Sequence, residues 1–67
     1  MKDNIMVGKV TKYDGSLGEI ITEDNIYYFT KNDILENINI NDIVIFKGKS
    51  EDIFPQAYYI KMYKKQD

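Results

Sequence analysis

Leu17-Gly18-Glu19-Ile20-Ile21-Thr22-Glu23-Asp24-Asn25-Ile26-Tyr27-Tyr28-Phe29 is the stretch of this 67-residue chain from which the fold class is read. It holds two short runs, Gly18 to Thr22 and Ile26 to Phe29, separated by the polar Glu23-Asp24-Asn25. Ile, Thr, Tyr and Phe suit a half-buried pleated surface, while Asp and Asn suit the reversal between two strands. The stretch therefore predicts an antiparallel pair with one face on a core and one in solvent. Successive side chains alternate across a strand, so Ile26 and Tyr28 pointing inward implies Tyr27 and Phe29 pointing outward. Aromatic rings on the wet face of a sheet need a reason, and stacking of nucleobases is one chemistry that uses them.

On the N-terminal side, Met1 to Asn4 reads as a short lead-in and Ile5 to Tyr13 as a first strand. Val10 is expected inward there, with Lys9, Thr11 and Tyr13 on the opposite face. Asp14-Gly15-Ser16 is a turn, because Asp-Gly accepts the positive φ of tight hairpins. The second strand begins at Leu17 or Gly18 and the third runs from Ile26 to Thr30. Lys31 to Glu36 then reads as a short helical turn capped by Asn32, with Ile34 and Leu35 plugging the end of a barrel. Residues 37–41 alternate Asn with Ile and form a loop leading to a turn at Asn41-Asp42. Ile43 to Lys47 is a fourth strand, Gly48 to Asp52 a polar loop, and Ile53-Phe54-Pro55 the return. Ala57 to Tyr63 is the fifth strand, with Ala57 or Tyr58, Ile60 and Met62 inward. Lys64 to Asp67 reads as a frayed tail.

Five short strands, a break between the third and fourth, and no long helix predict an all-β fold. The architecture expected is a five-stranded antiparallel Greek-key barrel of the OB type. Closure removes sheet edges that a small sandwich would leave bare. An SH3-like barrel of similar length is the rival.

Size and composition narrow the chemistry. At 7.9 kDa the chain is expected to be one domain over 1–67, with its core within about 6–63. Cys and His are both absent, which removes thiol catalysis, thiolate metal sites and imidazole bases. The carboxylates Asp14, Glu19, Glu23, Asp24 and Asp33 lack a nucleophile and base to work with, and the Asp-x-Asp-x-Asp-Gly calcium pattern is missing. No catalysis, metal, cofactor or small-molecule substrate is expected. No 18-residue apolar run exists and Met-Lys-Asp-Asn lacks the apolar segment of a signal peptide, so a soluble cytoplasmic protein without a membrane partner is expected. The net charge of −2 and pI near 5.0 argue against a partner held by bulk positive charge. A local cluster of Lys remains available. All nine basic residues are Lys, so bidentate recognition of phosphate or guanine by Arg is not.

Several pieces, in order and spacing, resemble the bacterial cold-shock domain family. Gly8-Lys9-Val10 resembles the Gly-Lys-Val or Gly-Thr-Val that opens its first strand. Leu17-Gly18-Glu19-Ile20-Ile21 falls at the first ribonucleoprotein motif, Gly-Phe-Gly-Phe-Ile. Ile26-Tyr27-Tyr28-Phe29 resembles the second motif, and Asp33-Ile34 the Ser-Asp-Ile or Ser-Ala-Ile after it. Pro55-Gln56-Ala57 repeats the Pro-Gln-Ala that begins the last strand. The resemblance covers roughly Val7 to Ile60, and implies the OB fold and binding of single-stranded RNA or DNA. The chain departs from the family where stacking rings are expected. Lys12 stands in place of a Trp, and Leu17 and Glu19 stand in place of the two aromatics of the first motif. The His of the second motif has no counterpart, and Phe54 replaces the Gly before Pro-Gln-Ala.

The sequence thus predicts weak, low-specificity binding of single-stranded RNA or DNA through an aromatic and Lys face. Tyr13, Tyr27 and Phe29 are the expected stacking rings, and Lys9, Lys12 and Lys31 the phosphate contacts. The alternative is a divergent OB module for protein–protein contact or self-association, a homodimer included. Exposed Leu17 and six Tyr would serve that role.

Overall fold

The computed structural model describes residues 4–48 and 55–63. The expected polar loop with its Phe54 return and the expected tail at 64–67 lie outside the described residues, apart from Gly48 and Pro55. Five strands form, β1 (Asn4–Tyr13), β2 (Leu17–Ile21), β3 (Ile26–Thr30), β4 (Ile43–Gly48) and β5 (Ala57–Met62). They make one antiparallel sheet in the order β3-β2-β1-β4-β5. The ends of the sheet curl toward each other. The Tyr28 N–H donates to the Pro55 carbonyl at 2.9 Å, and the Leu35 N–H donates to the Ile60 carbonyl at 2.8 Å. The product is a small curled barrel with strand bounds close to those expected.

Polar side chains hold the turns. Between β1 and β2, the Asp14 carboxylate accepts the Ser16 and Leu17 N–H groups, both at 2.9 Å. Gly15 takes φ 95°, a conformation open to Gly at no steric cost. Between β2 and β3, the Thr22 hydroxyl accepts the Asp24 and Asn25 N–H groups at 3.2 and 3.1 Å. After β3 comes a single 3₁₀ turn, Lys31–Asp33. Its cap is Thr30, two residues earlier than the Asn32 expected. Thr30 and Asp33 cap each other reciprocally, with the Thr30 N–H donating to the Asp33 carboxylate at 2.9 Å.

The core is Val10, Ile20, Tyr27, Phe29, Ile38, Val44, Phe46, Ala57 and Ile60. Ile34 packs against it as expected, whereas Leu35 is exposed and does not plug the barrel. Ile38, from the Asn-rich connection read as plain loop, is buried in its place.

Tyr27 and Phe29 point inward, each only 2% exposed, and Ile26 and Tyr28 point outward. This reverses the orientation expected for β3, and strand pairing explains it. The register sets Glu19 opposite Tyr28, Gly18 opposite Phe29 and Ile20 opposite Tyr27. A carboxylate belongs in water, and directly paired residues share a face, so Tyr28 goes out with Glu19. Gly18 leaves the space that Phe29 fills. A Cβ there would lie 2.3 Å from Phe29 Cζ. The Tyr27 ring packs on Phe46, centroids 5.3 Å apart.

Tyr13 also departs from its expected face. β1 pairs Val10 with Ile20 but Lys12 with Glu19, so Thr11 is an extra residue in a bulge. The bulge shifts the alternation by one. Lys12 joins Lys9 on the outer face, and Tyr13 turns inward, half-buried, with its ring centroid 5.5 Å from that of Phe29. A second irregularity lies between β4 and β5, where Lys47 pairs with Tyr58 and Ile45 with Lys61. It lets Ala57 and Ile60 both face the core. Tyr59 there adopts φ 54°, which costs a residue with a Cβ about 1–2 kcal/mol. The Lys47 ammonium, 5.5 Å from the Tyr59 centroid, returns about 0.5–1 kcal/mol at such an exposed place.

Candidate functional site

The outer face of β1, β2 and β3 is where the sequence places a ligand, and pairing fixes what it presents. Across it run Ile26, Ile21, Lys9 and then Ile43 of β4, each paired with the next. A second row is Tyr28, Glu19 and Lys12, and Thr30 with Leu17 forms a third. Tyr28 is 42% exposed and Leu17 61%, and Ile21, Ile26 and Ile43 are exposed as well. Among the described residues one aromatic ring therefore sits on this face, flanked by aliphatic side chains.

Of the six residues expected to bind, the structure keeps Lys9 and Lys12 on this face. Lys31 sits at the barrel end, where it lines a groove of about 300 Å³ with the half-buried Tyr13. Tyr27 and Phe29 belong to the core and offer no platform. Tyr28 is the residue that sequence reasoning missed. The signal for it was the charged Glu19 paired opposite across a four-residue turn, Thr22 to Asn25.

The electrostatics of the face are mixed. Lys12 Nζ lies 4.0 Å from the Glu19 carboxylate, with the lysine side chain 75% exposed. Such a pair contributes about 0–1 kcal/mol to stability, so Lys12 remains free to exchange partners. Asp14, in the adjoining turn, has its carboxyl held below the ordinary 3.8 by the N–H groups of Leu17 and Ser16, and stays ionised near neutrality. Among the described residues no group of three or more His, Cys, Asp or Glu side chains is placed to hold a metal ion.

A curled five-stranded antiparallel sheet in the order β3-β2-β1-β4-β5 is the OB-type architecture expected from the sequence. Among solved structures, the cold-shock domain repeats of Drosophila Unr (CSD456) match with a TM-score of 0.76 at 22% sequence identity. The match covers 92% of this chain and 28% of the solved Unr chain, so this chain spans little more than a quarter of the length of that chain. No family model matches the sequence, and neither does any curated protein. The likeness to Unr establishes the fold.

Proposed function

We propose that this domain binds single-stranded nucleic acid weakly and with little base preference, over the outer face of β1–β3. The observation that carries the reading is Tyr28, a ring standing in water on β3 at the edge of the outer face that β3 shares with β2 and β1. Bases stack on it, Leu17, Ile21 and Ile26 cover the base edges, and Lys9 and Lys12 meet phosphates, with Lys31 at the barrel end. Each stacking ring contributes about 1–3 kcal/mol. With one ring in place of the three expected from sequence, the affinity falls below that reading by about 2–6 kcal/mol. Glu19 weakens it further by placing a carboxylate beside the ring.

The test is a titration of oligo-dT and oligo-U at low salt. Saturable binding is expected, and Tyr28→Ala is expected to lower it by about 5- to 150-fold. No saturation at protein concentrations on the order of tens of micromolar rejects the reading.

The aliphatic row Ile26, Ile21 and Ile43 supports a second reading, protein contact or self-association through the same face. A sedimentation mass that rises with concentration and ignores oligonucleotide decides for it.

A further inference from the structure

Tyr59 is out of keeping with its backbone. Its φ of 54° lies where Gly or Asn sits with least strain. The ring is 61% exposed and belongs to no part of the core cluster, so packing does not explain a Tyr there. An exposed cation–π contact with Lys47 does not offset the strain either. Strained residues that the fold does not need are candidates for function.

The surroundings say which function. Tyr59, Lys47 and Lys61 line a groove of about 430 Å³ together with Ile5, Leu35, Ile45 and Phe46, and among the described residues no carboxylate lines it. Glu36 shares the neighbouring groove with Lys61, but its carboxylate accepts the Met62 N–H at 2.8 Å. On the β1–β3 face, by contrast, Lys12 faces Glu19. The groove thus combines an open ring with two ammonium groups, the pairing that an unpaired base and its phosphates require. It is also continuous with the first face. Val7 of β1 pairs with Ile45, and Ile45 pairs with Lys61, so outward residues run unbroken from β1 to β5. Four strand spacings of about 4.8 Å separate β3 from β5, roughly 19 Å along the curled sheet. That span suits an OB barrel, whose sites cover about 4–16 nucleotides.

We infer that Tyr59, Lys47 and Lys61 form a second stacking and phosphate site, which extends the track of one nucleic-acid strand from β3 around to β5. The inference rests on the nucleic-acid reading of the Tyr28 face. Tyr59→Gly relieves the strained φ and keeps the fold, which a thermal melt verifies. Lys47→Gln with Lys61→Gln removes the two charges.

Fluorescence anisotropy then compares oligo-dT of about six and about twelve nucleotides, both within the OB range. The wild-type chain is expected to bind the longer strand more tightly. Tyr59→Gly is expected to weaken the longer strand by about 5- to 150-fold and leave the shorter one, held at Tyr28, unchanged. The double Lys variant is expected to flatten the logarithmic salt slope by about 1.4, at about 0.7 per contact on a single strand. Wild-type affinity and slope in both variants overturn the second site and leave the Tyr28 reading standing. Absence of binding by the wild-type chain overturns both. Displacement of the longer strand by polyglutamate of equal charge, as well as by unlabelled oligo-dT, assigns the groove to an acidic polypeptide and overturns the inference.

Discussion

Removing the Phe29 ring should all but unfold this domain, while removing its neighbour Tyr28 should leave it folded. Phe29 is 2% exposed, sits over Gly18 and packs on Tyr13. Truncating a buried Phe to Ala costs about 3–5 kcal/mol through lost burial and the cavity left behind. A domain this small holds only roughly 3–5 kcal/mol in total, so Phe29→Ala is expected near or past its midpoint in plain buffer. Tyr28 is 42% exposed on the opposite face, and Tyr28→Ala is expected to cost no more than about 1 kcal/mol. Phe29→Leu refills part of the space and is expected to cost on the order of 1–2 kcal/mol. Urea unfolding followed by far-ultraviolet circular dichroism separates the three. With m near 1 kcal/mol/M for a small protein, Phe29→Ala lowers the midpoint by about 3 M or abolishes the folded baseline. A Phe29→Ala protein within about 0.5 kcal/mol of wild type, beside an unfolded Tyr28→Ala, would refute the inward placement of Phe29.

Gly18→Ala drives a methyl to within 2.3 Å of Phe29 Cζ and 2.5 Å of the Lys12 carbonyl. It is expected to cost about 1–3 kcal/mol or more, partly recovered when combined with Phe29→Leu, and a double-mutant cycle measures the coupling. Glu19→Gln removes the carboxylate 4.0 Å from Lys12. Oligo-dT binding is expected to tighten and its logarithmic salt slope to steepen by about 0.7; an unchanged affinity and slope count against this face. Asp14 titrates below its unfolded value because Leu17 and Ser16 donate to its carboxylate. Its contribution to stability is therefore complete above an unfolded pKa near 3.8 and lost as pH falls through the lower folded value. Asp14→Asn is expected to flatten the acid limb of a stability-against-pH curve, and an unaltered limb removes Asp14 from it.

The strands, their order along the chain and the turns between them were legible because they depend on local chemistry. Runs such as Ile43-Val44-Ile45-Phe46 favour a pleat, and Asp14-Gly15 favours a reversal wherever it stands. The pieces from Gly8-Lys9-Val10 to Pro55-Gln56-Ala57 pointed to the same barrel. The Lys residues of the candidate face were legible in type, and Lys9 and Lys12 do share that face.

Val10, Ala57, Ile60 and Met62 face the core as the sequence implied, but which side of β3, and of β1 beyond Val10, meets the core was decided by the tertiary structure. Ile26-Tyr27-Tyr28-Phe29 carries large apolar groups in both phases of the alternation, so the segment fits either way round. Pairing chose between them, because Glu19 draws Tyr28 into water and the space over Gly18 admits Phe29. The bulges were hidden for a related reason. Neither Thr11 nor Tyr59 is a Gly, and an extra residue in one strand is defined only against its partner. Alternation along a strand is a property of the chain, but its phase is a property of the neighbours, and the corrections at Tyr13, Tyr27, Tyr28 and Phe29 follow from that difference.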